Sequence, residues 1–484
     1  MPSKRPIFAR RFRASSALRA VCGAGAIGAG VLFALSTLTA SEGCADKAPA
    51  PSAATPIIIG VSLGLTGENE GFAAPLRDAV RVAEGQINAG GGLLGRPVRF
   101  DVRDDQSDET TIVTDVAHQL VNEGAVAIIG PLGSQQVVLT QKIYADREII
   151  QISPSATSTD LSTIQPSENR FLFRTTPADD FQGAAVILLA QKTPLGLGDA
   201  GAPLTDGGLP VTCNRLAIVN IDNSYGNAMA DVIRTNFPKR GVGRSIVIQQ
   251  KLGVDVAATY ATEAAALVAA KPDCSAVISY AKVAAQYVHD VKADPGYKAL
   301  SDKNFFFIGT DGVYTPDFIK LSLQNQSDET SPSTADGVFG TNPDTNPGTK
   351  EYNEFKTIYR SYFPALPDAP AFAANTYDAA ILIALAIQQA GSATDHLAIR
   401  DALPKVASGG KPFTPAQVGE ALLAIRQGQD VDYKGASGNV DFDPNGNVRS
   451  GFIVWEAFRN PMTKKVEYRT AAQFTTEELQ DQIK

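Results

Sequence analysis

The stretch AVAIIGPLGSQQVVLTQKIYADREIIQISPSATS, residues 125–158, decides the fold. It opens on a short aliphatic run, AVAIIG, closed by Gly130 and Pro131, which reads as a buried strand. SQQVVLTQKIYADRE follows as a helix, and IIQIS as a second strand. Strand, helix and strand in this order form the unit of a parallel sheet. The second strand runs into short hydroxyl side chains: six of the ten residues from Ser153 to Ser162 are Ser or Thr. Such a run is either a loose loop or a set of small donors placed where backbone must approach a ligand closely.

The same alternation extends in both directions. Upstream, IIIGVSLGL reads as a strand, and Leu76, Ala79, Val80, Ala83 and Ile87 mark a helix stopped by Asn88 and its glycines. Alternating Val98, Phe100 and Val102 make the next strand, and ETTIVTDVAHQLVNEG the next helix. After Thr176 a second series supplies the strands LAIVNID, SIVIQQKL, SAVISYA and FFFIGTD, with helices expected near 226–236, 259–270 and 284–292. A Gly/Pro/Asp-rich insert at 192–212 reads as a surface loop, and GNVDFDPNG and GFIVWEAF as a last pair of strands. Two α/β series predict two lobes, each a parallel sheet flanked by helices, and 484 residues suffice for two cores.

The N-terminal 44 residues differ from the rest. Lys4, Arg5, Arg10, Arg11, Arg13 and Arg19 precede an apolar run at 20–40 and then Cys44, the order of an export signal. The apolar run is also long enough for a membrane anchor if it is not cleaved. TASEGC is similar to a lipoprotein signal, so lipidation at Cys44 stands beside ordinary release or retention. Residues 45–56 form a Pro/Ala-rich tether. Removal of 1–44 leaves 37 basic against 50 acidic residues, a net charge of −13. So acidic a body argues against nucleic acid and anionic membrane surfaces as partners.

Cys213 and Cys274 each sit just ahead of a strand. They pair if those strands are neighbours in an oxidising compartment, and are otherwise two buried thiols. Several motifs carry no chemistry. GAGAIG lies inside the export segment rather than after a first strand. DFDPNGNVRSGF has Phe452 where a calcium loop needs a bidentate Glu. His118, His289 and His396 are scattered, and no GxSxG turn occurs. Neither cofactor nor metal is expected, nor catalysis.

Ligands of open parallel sheets bind beyond the carboxyl ends of the strands. Those ends read PLGS, PSATS, NSYG, AKV and DG. Ser134, Ser155 and Thr157, with nearby helix-start amides, suit a carboxylate, while Asp311 offers one charge to an ammonium group. Tyr225 and Phe72 offer flat apolar walls, so the set describes a small zwitterion with a side chain.

INAGGGLLGRPV, DDQSD, IIGPLGS, SPSAT, DNSYG and FIGTDG occur in the order and spacing of the leucine/isoleucine/valine-binding protein family of bacterial extracytoplasmic solute receptors, which the chain resembles from Ile57 onward. The resemblance implies a type I periplasmic binding protein fold: two Rossmann-like lobes joined by a three-strand hinge, closing on a ligand delivered to an ABC permease. It puts hinges near 175–178, 336–338 and 448–451. Lobe 1 then comprises 57–175 and 338–449, lobe 2 comprises 176–337 and 450–475, and 476–484 is a tail. Ser134 and Thr157 match positions that bind the ligand carboxylate, with the backbone of Ser155 and Ala156 beside them, and Thr157 also touches the ammonium. Asp311 matches an acidic partner of the ammonium, and Tyr225 a pocket tyrosine. Phe72 and Val283 fall where the branched-chain binder has tyrosines, which implies a more apolar pocket. The expected protein is an exported monomer that binds a small amino acid, branched-chain or related. A sensor for an amide, short-chain or aromatic acid, presenting its closed form to a signalling partner, is the alternative.

Overall fold

The computed structural model describes residues 54–191, 213–345, 348–364 and 371–483. The export segment with Cys44, nearly all of the tether and the 192–212 insert lie outside the described residues. Among the described residues no helix is long and apolar enough to cross a membrane.

The first sheet contains β1 (Ile57–Leu63), β2 (Val98–Asp104), β3 (Ala127–Ile129), β4 (Ile150–Ser153) and β5 (Leu172–Arg174), in the order β2-β1-β3-β4-β5 and parallel throughout. The second contains β6 (Arg215–Ile221), β7 (Ser245–Leu252), β8 (Cys274–Ile278), β9 (Phe306–Gly309) and β10 (Val338–Pro343). A separate two-stranded ribbon joins β11 (Lys411–Phe413) to β12 (Val431–Tyr433). The chain then returns to the second sheet with β13 (Phe452–Arg459) and β14 (Val466–Phe474), completing the order β14-β13-β10-β9-β8-β6-β7. This is the type I periplasmic binding protein fold, with helices flanking both sheets.

One detail refines the expected parallel sheets, and two expectations need correction. The second sheet is not wholly parallel: β13 runs antiparallel to both β10 and β14. The chain therefore does not leave the second sheet at 336–338. β10 pairs with β9 and β13, and the crossover follows Pro343, where the Asp344 amide donates to the Gly451 carbonyl at 2.9 Å. Finally, GNVDFDPNG is not a strand. The Asp443 carboxylate accepts the amides of Asn445 and Asn447 at 2.8 and 3.0 Å, and this turn chemistry wins over the alternation of Val440 and Phe442.

Each sheet carries its own core. Ile57, Ile59, Val61 and Leu63 are buried on one face of β1 and Gly60 and Ser62 on the other, as a central parallel strand requires. The Ala373–Ala390 helix is buried on nearly every side, from Ala373 to Gln388, which explains its almost unbroken apolar sequence. Its one acid, Asp378, is fully buried and accepts from the Tyr433 hydroxyl (2.7 Å), the Ala436 and Ser437 amides (2.9 and 2.7 Å) and the Ser437 hydroxyl (2.6 Å). Asp378→Ala would strand these donors, and the expected loss is about 3 kcal/mol of unfolding free energy in a urea titration. An unchanged midpoint would mean that water replaces the carboxylate.

Cys213 and Cys274 are bridged, with Cα atoms 5.7 Å apart. Neighbouring strands make this possible: β6 pairs with β8, with Leu216 opposite Cys274.

Candidate functional site

In the first sheet β1 lies between β2 and β3, and in the second β6 lies between β7 and β8. These are the points where strand order reverses, and loops beyond them part to leave a crevice. A cavity of about 30 Å³ lies where the two crevices meet, so the walls must part to admit a ligand. Asn69 and Phe72 follow β1, Leu132 to Ser134 follow β3, and Ser155 and Thr157 follow β4. Tyr225 follows β6, Tyr280 follows β8, and Asp311 and Gly312 follow β9.

The first-lobe wall is a small-residue donor surface. Gly130 turns the chain out of β3 at φ 89°, where a Cβ would stand 2.1 Å from the Ser62 carbonyl oxygen. The turn brings Ser134 to the start of the Ser134–Ala145 helix, whose first amides have no partner within the helix. Ser134 Oγ accepts from the amides of Thr157 and Ser158 at 3.2 and 3.1 Å, which leaves its own proton for another acceptor. Ser155 Oγ donates to the Leu132 carbonyl at 2.9 Å. These bonds tie the loops after β3 and β4 into one surface.

The second-lobe wall is acidic and aromatic. Asp311 is buried, and its Oδ1 accepts from the Tyr225 hydroxyl at 2.7 Å. Burial pushes the Asp311 carboxyl up to about 6, against the opposing pull of Tyr225 and nearby amides. Burial, then the negative charges of Asp311 and Asp179, hold the Tyr225 phenol well above its ordinary value, so it stays a donor. Tyr225 and Tyr280 stack with ring centroids 5.8 Å apart. Gly312 lies among them because a Cβ there would meet the Ser279 carbonyl oxygen at 2.5 Å.

Phe72, Ser134, Ser155, Thr157, Tyr225 and Asp311 thus share one cavity. Two expected residues do not line it. Val283 is fully buried in the second core, because it lies inside the Ala281–Ala293 helix; Tyr280, in extended backbone just before that helix, reaches the cavity instead. Ala156 stands behind the surface, with its amide donating to Ser153 Oγ at 3.1 Å and its carbonyl accepting from Arg174 at 3.3 Å.

Phe372 was invisible to the strand-end reading because it follows no strand. It precedes the Ala373–Ala390 helix at φ 63°, and its ring meets Phe72 edge-on at 5.8 Å. Asn69, Leu132, Gly133, Tyr280 and Gly312 were all legible as neighbours of strand ends but had no distinguishing chemistry.

Contacts around the cavity join the lobes directly. Lys282 Nζ donates to the Gly67 carbonyl at 2.9 Å and lies 3.5 Å from Glu68. Asn223 Nδ2 donates to Glu109 at 2.8 Å, and Ser224 Oγ to Asp160 at 3.1 Å. None of Lys282, Asn223 and Ser224 lines the cavity, so these bonds favour the closed arrangement rather than a ligand. Asn223→Ala is expected to weaken ligand binding about fivefold, equivalent to about 1 kcal/mol, mostly through faster dissociation. Stopped-flow release that matches wild type would show that this contact does not govern opening.

The profile of the periplasmic binding protein family matches residues 56–421. The chemotactic signal transduction system substrate-binding protein BasB of Halobacterium salinarum is 27% identical over 414 residues, covering 83% of this chain and 87% of its own. The Leu/Ile/Val-binding protein BraC3 of Rhizobium johnstonii is 26% identical over 375 residues, 76% of this chain and 89% of its own. A solute-binding protein of an ABC transporter from R. palustris, solved with 4-hydroxybenzoate, superposes with TM-score 0.65 at 15% identity, over 87% of this chain and 98% of its own. Sheet order, the cavity at paired switch points and these similarities agree: the chain belongs to the periplasmic binding protein family, among the relatives of the leucine/isoleucine/valine-binding proteins.

Proposed function

We propose that the protein captures a small amino acid, branched-chain or related, between its lobes outside the cytoplasm and delivers it to the membrane permease of an ABC transporter. The carrying observation is the charge layout of the cavity: the neutral hydroxyls of Ser134 and Thr157 on one lobe, with Ser134 free to donate, and a single lining carboxylate, Asp311, on the other. That layout complements a zwitterion, with the carboxylate toward the first lobe and the ammonium toward the second. Phe72, Phe372, Leu132 and Tyr280 surround the remaining space with apolar surface suited to an aliphatic side chain. Ser134, Ser155, Thr157, Tyr225, Phe72 and Asp311 are assigned to the ligand. The protein works as a monomer without a cofactor, and among the described residues no group of His, Cys, Asp and Glu is arranged to hold a metal ion. Residues 1–44 direct export, with Cys44 as the candidate lipid anchor.

A thermal-shift screen of the chain from Ala45 against the common amino acids, simple carboxylates and amides tests this reading, because a ligand well above its dissociation constant raises the midpoint. A selective rise with aliphatic amino acids is expected. A rise only with an amide or an aromatic acid would overturn it. The similarity to BasB favours a second reading, in which the closed form is presented to a signalling partner. Uptake of the bound amino acid by permease vesicles would separate delivery from sensing.

A further inference from the structure

Asp179 opens the Asp179–Gln191 helix just after the chain leaves β5. Its side chain is fully buried, and no hydrogen bond of good geometry reaches either carboxylate oxygen, the Thr157 hydroxyl being the donor that stands beside it. Buried carboxylates this poor in donors are rare, because each unmade bond costs stability. The groups facing Asp179 are Thr157 from the loop after β4, Asp311 beyond β9, the Tyr225 phenol, Arg174 at the end of β5, and its neighbour Asp180. Arg174 is the one cation among them, and its donors are engaged elsewhere. Nη1 bonds the Ala156 and Ser158 carbonyls, Nη2 bonds Ser162 Oγ, and Nε bonds Asn447 Oδ1. One helical turn on, Gln182 is also buried; its amide nitrogen bonds the Thr341 carbonyl at 3.1 Å, and its oxygen is unpartnered.

This end of the cavity therefore holds a surplus of acceptors. Asp311 and Thr157 line the cavity, and Asp179 stands immediately behind both. The Thr157 hydroxyl has one proton to give. Turned toward the carboxylate behind it, that proton leaves an oxygen lone pair facing the cavity, so Thr157 presents an acceptor to the ligand. Two carboxylates in a low-dielectric site repel a third and attract a cation.

We propose that Asp179 is a second, remote carboxylate of the ammonium subsite, a positioning residue that acts through Thr157 and Asp311 and makes a protonated amine on the ligand obligatory. The inference rests on reading the cleft as an amino-acid site, and deepens it: selection against carboxylic acids of the same shape comes from behind the visible wall. Burial first, then the charge of Asp311, hold the Asp179 carboxyl well above its ordinary range, a cost that a nearby ammonium relieves.

The test is calorimetric titration of wild type and Asp179→Asn with L-leucine, with 4-methylpentanoate, which is leucine without its amine, and with 4-hydroxybenzoate. The expected result is that wild type binds leucine at least a hundredfold tighter than 4-methylpentanoate. In Asp179→Asn leucine should weaken about tenfold while 4-methylpentanoate is unchanged or tighter. A merely structural role would weaken both alike. Wild type that prefers leucine, with a variant that keeps the same ratio, overturns the role of Asp179 and leaves the amino-acid site standing. Wild type that prefers either acid, or binds none of the three, overturns both. If the variant does not fold, Asp311→Asn titrated with the same ligands decides instead: a leucine preference over 4-methylpentanoate of about tenfold that survives supports the inference, and its complete loss, leaving Asp311 as the sole source of selection, overturns it.

Discussion

Asp311→Asn is expected to bind the preferred amino acid about a hundredfold more weakly than wild type, equivalent to about 2.8 kcal/mol, while melting no lower in the absence of ligand. Both halves follow from burial. An ammonium group brought against Asp311 loses its water, and only the ionised carboxylate compensates for that loss. Asparagine keeps the Tyr225 contact but supplies no charge. The unliganded protein gains from the change above pH 6. The folded Asp311 carboxyl sits at about 6, above its unfolded value, so its favourable contribution is complete below the unfolded pKa and is lost as pH rises through 6. A shift of this size corresponds to about 3 kcal/mol carried as strain at neutral pH. Amino-acid affinity in wild type should accordingly fall as pH drops below 6, by up to about tenfold per unit, as the carboxylate takes up a proton. Calorimetric titrations between pH 5 and 8 read both effects, and a flat profile with an unimpaired variant would remove Asp311 from the site.

The second large effect is on stability. Cys213→Ala with Cys274→Ala is expected to lose about 4 kcal/mol, the loop-closure entropy for cysteines separated by 61 residues. The bridge closes the chain from the start of β6 to the start of β8, enclosing the Ser224–Asn236 helix, β7 and the Ala261–Ala270 helix. Release of that loop enlarges the unfolded ensemble, and both sulfurs are fully buried, so the truncations also lose packing. In guanidinium titrations wild type under reductant should fall below the oxidised protein, and the double variant lower still by the lost packing. If both match the oxidised protein, the enclosed loop is already restricted in the unfolded chain.

The wall of small residues after β3 and β4 was legible because three constraints coincide in a short segment. A strand must end, a helix must start, and backbone must stay accessible, and each of these selects Gly, Pro, Ser or Thr. The same argument finds Tyr225 and Asp311. It fails at the second crossover, since β10 reads as an ordinary strand whether it belongs to one sheet or the other. Strand identity is local, whereas pairing with β9 and with β13, more than a hundred residues on, is not. It fails also at GNVDFDPNG, where side-chain to backbone bonds compete with alternation.

By itself the sequence determined the alternating α/β architecture, the ends of the strands and the cysteines able to meet, since periodicity, terminators and short-range geometry are written residue by residue. Only the tertiary structure decided that Tyr280 rather than Val283 faces the cavity, that Phe372 joins Phe72 from a distant helix start, and that Asp179 stands buried behind Thr157. These depend on the packing of segments far apart in the chain, and on whether a buried polar atom finds a donor. Burial and partnership are properties of the folded interior, and no pattern of neighbours along the chain specifies them.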